Sequence, residues 1–473
     1  MKILISHSYF LQLDPKQWAQ QKPYPPLATL IAVACLQKAG HEVRFIDSNF
    51  LTDTQEAQQA LETWRPDFFV LYEDGFNYLT KMCLTNMREA AFEMMDKAAS
   101  LDIPVWVSGS DATDHYKEYL EKGAQAVLKG EAEQTLLELA AGRPLSAING
   151  IWYKTESRVE ATAPRKVNTH LDDLPFPAWE VLDIEPYQKA WKKHGYFSIN
   201  VATTRGCPFK CNWCAKPIYG NRYNSHSPKY IVDLLLDMQR CFSFDHIWFC
   251  DDIFGLKPRW VQQFNEQLQQ ADRKWKYKIQ SRADLLVKED TVMALAQSGC
   301  DEVWIGAESG SQKVLDAMDK GTTVAQIVDA TALMKAHNVK PCFFLQFGYP
   351  TEEWSDIKAT IDMLKTLKPH DIGVSVSYPL PGTKFYERVK NELQQKANWT
   401  DSDELLLMYK GTYSASFYKD LHRYVHRKFR SLRAWEMLVK GDGTARQKWS
   451  FAYHTPLSWW NGFKMKKSLQ SGE

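Results

Sequence analysis

The chain has 473 residues, 44% hydrophobic and 24% charged, with 58 Lys and Arg against 57 Asp and Glu. That length exceeds one ordinary core, so two or three domains are expected, and the even charge balance gives the whole chain no electrostatic pull toward nucleic acid or an anionic membrane. No apolar run approaches the roughly 20 residues that span a bilayer, and Met1 leads straight into a strand-like MKILISHSYF without signal-peptide features, which predicts a cytoplasmic protein with no transmembrane segment.

The first 140 residues alternate strand-like and helix-like segments. KILIS reads as a strand, PPLATLIAVACLQKAG as a helix opened by prolines and closed by Gly40, and HEVRFID as a second strand. RPDFFVLYED, IPVWVSGSD and AQAVLKGEAE continue the series. This rhythm predicts an open parallel sheet of Rossmann-like type, whose ligand crevice lies at the strand carboxyl ends. Residues 141–196, with the Pro-containing LDDLPFPAWEVLD, break the rhythm and read as a connector.

From 197 to 395 the alternation resumes. FSINVATTRG, HIWFCDD, YKIQSRAD, EVWIGAES, PCFFLQFGYP and IGVSVSYPLP are strand-like, with helical patterns between them, so six strand-plus-helix units predict a (β/α)6 partial barrel with functional groups at the strand carboxyl ends. Residues 396–473 are predicted to form a helical C-terminal cap. Phe417, Tyr418, Leu421, Tyr424 and Val425 fall on compatible turns, and the closing KMKKSLQSGE reads as a loose basic tail.

Nine cysteines are an odd number scattered along the chain, but Cys207, Cys211 and Cys214 fall within eight residues, in TTRGCPFKCNWCAKPIYG. Clustered thiols without an even count point to a metal cluster in a reducing compartment rather than to disulfides. A [4Fe–4S] cubane held by three cysteines keeps one iron open, where the amino and carboxylate groups of S-adenosylmethionine (SAM) can chelate before reductive cleavage to methionine and a 5′-deoxyadenosyl radical. A zinc site is the competing reading. It wants a fourth Cys or His, for which His226 is the nearby candidate.

The CxxxCxxC spacing within RGCPFKCNWC, followed by the partial-barrel pattern, resembles the radical SAM superfamily. The wider arrangement resembles its B12-binding branch, in particular the anaerobic magnesium-protoporphyrin IX monomethyl ester cyclases. The segments that carry it are YPPLATLIAVACLQKAGHEVRFID, GCDEVWIGAESGSQKVLDAMDKGTT, FLQFGYPTEE, SYPLPGTKFY and WTDSDELLLMYKGTYSASFYKDLHRYVHRKFR.

The resemblance implies that Cys207, Cys211 and Cys214 hold the cluster and that Glu308, after the fourth barrel strand, lies at the SAM site. Ser281 and Arg282 are expected to contact SAM, Trp213 to pack on its adenine, and Gln346 and Tyr378 to face SAM or substrate. Asp251 and Asp252 either hold a ligand or cap a turn. The resemblance further implies a first domain of residues 1–140 that binds cobalamin. There is no DxHxxG sequence to supply a lower axial histidine, so binding would rest on the loops bearing Tyr72, Asp74, Ser108, Gly109, Ser110, Gly130, Glu131 and Glu133.

The activity expected first is methylation of an unactivated carbon of a small or lipid-like molecule, one SAM supplying methyl through cobalamin and a second supplying the radical. The alternatives are cobalamin-dependent cyclisation, ring rearrangement or oxidation without net methyl transfer, a cobalamin-free radical SAM mutase or dehydrogenase, and a non-catalytic iron–sulfur protein. An external one-electron donor such as a flavodoxin or ferredoxin is implied, and nucleic acid is disfavoured as a substrate.

Overall fold

The computed structural model describes residues 1–156, 158–214, 219–393, 396, 398–441 and 444–471. The chain divides into two compact units, the first of residues 1–208, 215–277 and 398–404, the second of residues 209–214, 278–397 and 405–473. The expected boundary after residue 395 falls on Gln395, outside the described residues.

The first unit contains a seven-stranded sheet. Strands β1 (Lys2–Ser6), β2 (Glu42–Ile46), β3 (Phe68–Tyr72), β4 (Val105–Ser108) and β5 (Ala124–Leu128) pair in parallel in the order β2-β1-β3-β4-β5. Leu4, Phe69, Val107 and Val127 of these strands share one core with Ala91, Met94 and Leu61 from the covering helices. The order reverses direction between β1 and β3, which makes the carboxyl ends of those two strands the natural crevice.

Two expectations are corrected in this unit. The sheet is not purely parallel: β6 (Ile151–Lys154) and β7 (Val159–Ala161) extend it as an antiparallel hairpin on the free edge of β5. The stretch 141–196 is therefore more than a connector. It also contributes the helix Glu185–Lys192, whose Tyr187 and Trp191 are fully buried, with Trp191 Nε1 donating to the Pro23 carbonyl at 2.8 Å. Strands of three or four residues are too short to show periodicity, which is why they escaped the pattern.

A second sheet carries the partial-barrel order. Strands β8 (Ser198–Val201), β11 (His246–Phe249), β12 (Lys276–Ser281), β13 (Cys300–Glu308), β14 (Lys340–Phe347) and β15 (Asp371–Val376) neighbour one another in strict sequence. β12 begins in the first unit and continues in the second. A two-residue ladder of β9 (Thr204–Arg205) against β10 (Asn224–Ser225) stands just before the cysteine loop.

In the second unit, helix Ala415–Val439 packs on β15 and on helix Trp354–Leu367, burying Phe417, Leu421 and Val425. The basic tail is not loose. Residues Ala445–Ser471 form a helix against 415–439, and the last two residues of the tail, Gly472 and Glu473, lie outside the described residues. Its contact face, with His454, Ser458 and Gly462, is too polar and too small to read as an apolar stripe.

Candidate functional site

Each unit presents its share of the expected residues at strand carboxyl ends. In the first unit, Cys207 is buried. Asp251, directly after β11, accepts from the backbone N–H and hydroxyl of both Thr203 and Thr204 at 2.7–2.9 Å. Burial pushes its carboxyl up to about 7 against the pull of those four bonds. These four bonds tie Asp251 to the segment after β8, 48 residues back, rather than to the turn that follows it. Asp252 pairs with Lys81 at 2.9 Å.

Arg205 is fully buried, donates to both Glu133 oxygens at 2.7 and 3.2 Å, and lies over the rings of Tyr219 and Phe76. Gly206 takes φ +80°, and a Cβ there would stand 2.1 Å from the Arg222 carbonyl oxygen, so the turn into Cys207 admits only glycine. Sequence reasoning missed Arg205, although the Arg-Gly pair before the first cysteine was its signal.

The loops expected to face cobalamin have mixed duties. Asp74 accepts from the N–H groups of Ala28 and Phe76, closing the start of helix Leu27–Lys38, and burial raises its pKa. The Tyr72 carbonyl accepts from Thr29 and the Ser108 carbonyl from the Glu73 N–H. A Cβ on Gly109 would meet the Glu73 side chain at 2.8 Å. Glu133 is committed to Arg205. Gly130, at φ +77°, turns the chain toward Glu131, which accepts from the Asn168 N–H through one oxygen.

Several polar atoms in these loops have no hydrogen-bond partner despite full burial: Ser110 Oγ, Glu131 Oε1 and Asn49 Oδ1. Buried polar groups are normally satisfied, so such a set marks loops suited to a polar ligand. His7, just after β1, is engaged at both ring nitrogens, Nε2 on Asp47 at 2.9 Å and Nδ1 on the Tyr9 N–H at 3.3 Å.

In the second unit, Cys211 and Cys214 are half-buried on a loop that Asn212 anchors. The Asn212 N–H donates to the Met318 carbonyl, its side-chain amide donates to the Ala317 carbonyl, and its side-chain oxygen accepts from Tyr349. Trp213 Nε1 is buried without a partner.

Glu308 ends β13 at a register shift, with φ +55°, a left-handed conformation that costs a non-glycine residue about 1 kcal/mol. Its carboxylate receives Lys320 Nζ at 2.7 Å in a fully buried pair. Burial lowers the Lys320 pKa, but Glu308, then Cys211, outweigh it, and the group stays charged. The pair fits because Gly306 has no side chain: a Cβ there would lie 2.5 Å from Lys320 Nζ. Lys320 went unread because one lysine after a helix looks like surface.

Arg282 stacks on Phe209, 3.6 Å from the ring centroid, and donates to Asp284 and to the carbonyls of Lys320 and Gly321. Its guanidinium thus already braces the Lys320 turn and the cysteine loop. Ser281 is buried at the end of β12, Gln346 donates to Ser377 at 2.9 Å, and Tyr378 is buried after β15.

The same loop region contains a titrating carboxyl. Glu352 is fully buried, one oxygen accepting from the Gly348 N–H at 2.7 Å and the other without a partner, and burial pushes its pKa up to about 8. A carboxyl whose folded pKa is raised stabilises the fold below its unfolded pKa, and that contribution is lost as pH rises toward 8. We expect the Glu352 contribution to fall by about 3 kcal/mol between pH 5 and 8 and Glu352→Gln to flatten the pH dependence by that amount, read from urea midpoints.

All three cysteines are free of disulfides. Cys207 belongs to one unit and Cys211 and Cys214 to the other, and among the described residues no three His, Cys, Asp or Glu side chains already converge as a metal-holding group. The donor set itself, three thiols on one loop, suits an open cluster better than zinc. His226, the zinc candidate, bonds Asp172 at 3.0 Å, stacks on Tyr230 and is depressed to about 4 by burial.

Comparison with known proteins agrees with this geometry. Residues 201–364 match the Radical SAM superfamily. A solved structure of the cobalamin-dependent S-adenosylmethionine radical enzyme OxsB with aqua-cobalamin bound superposes with a TM-score of 0.76, covering 98% of this chain and 72% of that one at 19% identity. The fold is similar to that of this radical enzyme over almost the whole chain. Among curated relatives, an uncharacterized methyltransferase of Pyrococcus horikoshii is 29% identical over 280 residues, 58% of this chain and 60% of that protein. The magnesium-protoporphyrin cyclase of Rubrivivax gelatinosus is 23% identical over 390 residues, 78% of this chain and 67% of that protein. The likeness therefore belongs to the B12-binding radical SAM fold broadly and not to the cyclase branch in particular. No helix among the described residues is long and apolar enough to cross a membrane.

Proposed function

We propose that the protein is a cobalamin-dependent radical SAM enzyme that cyclises, rearranges or oxidises a small molecule without net methyl transfer. The observation that carries this reading is the CxxxCxxC loop set in a fold that matches a cobalamin-dependent SAM radical enzyme over 98% of the chain. When bound, the cluster supplies the electron that cleaves SAM, and cobalamin supplies a second redox centre.

The chain's own residues then divide the work. Cys207, Cys211 and Cys214 would hold the cluster, while Asn212 and the Phe209–Arg282 stack fix the loop that carries two of them. Lys320 holds the Glu308 carboxylate in place, and Trp213, Ser281, Gln346 and Tyr378 would line the SAM and substrate space. Ser110 and Glu131, each with an oxygen that lacks a hydrogen-bond partner, are the loop groups best suited to hold polar edges of a cobalamin. With both nitrogens of His7 engaged, the protein would offer that cofactor no axial histidine from this loop. Methyl transfer is the second reading, favoured by the methyltransferase among the relatives.

The test uses anaerobically purified, reconstituted protein supplied with hydroxocobalamin, desalted and then given SAM and dithionite. Retained cobalamin with 5′-deoxyadenosine but no matching S-adenosylhomocysteine is the expected result. Equal amounts of the two nucleosides would favour methyl transfer, and a cluster without retained cobalamin would overturn both readings.

A further inference from the structure

The C-terminal helix 445–471 has its faces the wrong way round for a protein surrounded by water. Its inner face meets helix 415–439 through Phe451 against Trp435, Thr455 against Ser431, His454 against Arg427, and Gly462 against the Tyr424 ring. Ser458 and Met465 are buried on the same side. The opposite face carries Trp449, Tyr453, Trp460 and Phe463, which at 100° per residue fall within one narrow arc, and they are 76%, 60%, 56% and 65% exposed. Trp459, 71% exposed, lies at the edge of that arc.

Charge surrounds this stripe. Residues 415–471 contain twelve Lys and Arg against three Asp and Glu, whereas the rest of the chain carries 46 against 54. Lys464 stands over the Trp460 ring at 5.3 Å and Arg427 over Tyr453 at 5.1 Å, so cations sit directly beside the aromatics. A second copy of the chain would set this basic face against itself. A single-stranded nucleic acid wants a groove to track its backbone, whereas this stripe lies on one convex helix.

We propose that this face of helix 445–471 docks on the surface of an anionic lipid bilayer. Amphipathic rings prefer the headgroup level, where the ring body is apolar and its polar edge stays wet, and lysines beside them meet lipid phosphates with their stems laid along the apolar boundary. No described helix is apolar enough to span, so the attachment would be peripheral and reversible.

The experiment is co-sedimentation of the full-length protein with vesicles of phosphatidylcholine alone or with about 30% phosphatidylglycerol, at about 0.1 M salt. The wild type should pellet with the anionic vesicles at least about tenfold more than with the neutral ones, with a blue shift of Trp emission. Trp449→Ser/Trp460→Ser/Phe463→Ser should lose that binding while keeping the circular dichroism of the wild type. A separate variant, Lys464→Glu/Lys466→Glu/Lys467→Glu, should bind only when salt is lowered. No binding to anionic vesicles, binding that survives the aromatic substitutions, a dimer that those substitutions dissolve, or displacement of vesicles by RNA would each overturn the proposal.

Discussion

Cys211→Ala is expected to remove the iron–sulfur absorbance of the reconstituted protein and to lower reductive formation of 5′-deoxyadenosine by at least about 10³-fold. The loss should be this complete because the other buried thiols are poor substitutes for the thiolate. Cys83, Cys250 and Cys300 are fully buried and their thiols are pushed well above the usual range, and Cys35 is pushed up to about 12. A thiol that stays protonated is a poor iron ligand. The loop should survive the substitution, since its anchor is Asn212, bonded to Met318, Ala317 and Tyr349. Circular dichroism and thermal unfolding of the variant should therefore match the wild type. Cys241→Ala, at an exposed position on a helix, serves as the control and should leave both signals intact. Full absorbance in Cys211→Ala would remove this cysteine from the ligand set.

The second large effect is one of stability. Glu133→Ala leaves the Arg205 guanidinium buried with Glu131 as its remaining carboxylate neighbour at 3.9 Å. An ion pair that loses one partner in the interior costs about 3–5 kcal/mol, so the unfolding midpoint of the first unit should drop by about 10 °C. Glu133→Gln, which retains a hydrogen-bond acceptor, should cost less. Because one glycine separates Arg205 from Cys207, iron content after reconstitution should also fall, though less than in Cys211→Ala. Combined replacement, Arg205→Met with Glu133→Leu, should recover much of the midpoint, since a buried pair replaced by packed apolar groups is often neutral. An unchanged midpoint in Glu133→Ala would mean that Arg205 finds water or another partner, and the anchoring role would fail.

The cysteine spacing and the repeated strand-plus-helix units were legible in the sequence because both are local. Three thiols within eight residues need only one loop, and a strand flanked by periodic helices announces itself through neighbours a few positions away. The place of Glu308 at a strand end was legible for the same reason, an acid closing an apolar run. Its partner was not. Lys320, twelve residues on, is drawn inward by a buried charge and admitted by the missing side chain of Gly306, neither of which shows in the sequence near it.

Distance along the chain accounts for the other differences. Arg205 meets Glu133 across 72 residues, Asp251 reaches back 48 to Thr203, and Asn212 reaches 137 to Tyr349. The hairpin of β6 and β7 exists because β5 offers an unpaired edge, and helix 445–471 folds because helix 415–439 offers a face that accepts His, Ser and Gly. The sequence by itself determined the order of strands and helices and the three thiols of the loop, because periodicity and spacing act over a few residues. Only the tertiary structure decided which charges were paired, which loop atoms stayed unsatisfied and which aromatics faced outward, because burial is a property of the assembled chain and sets the cost of every polar group within it.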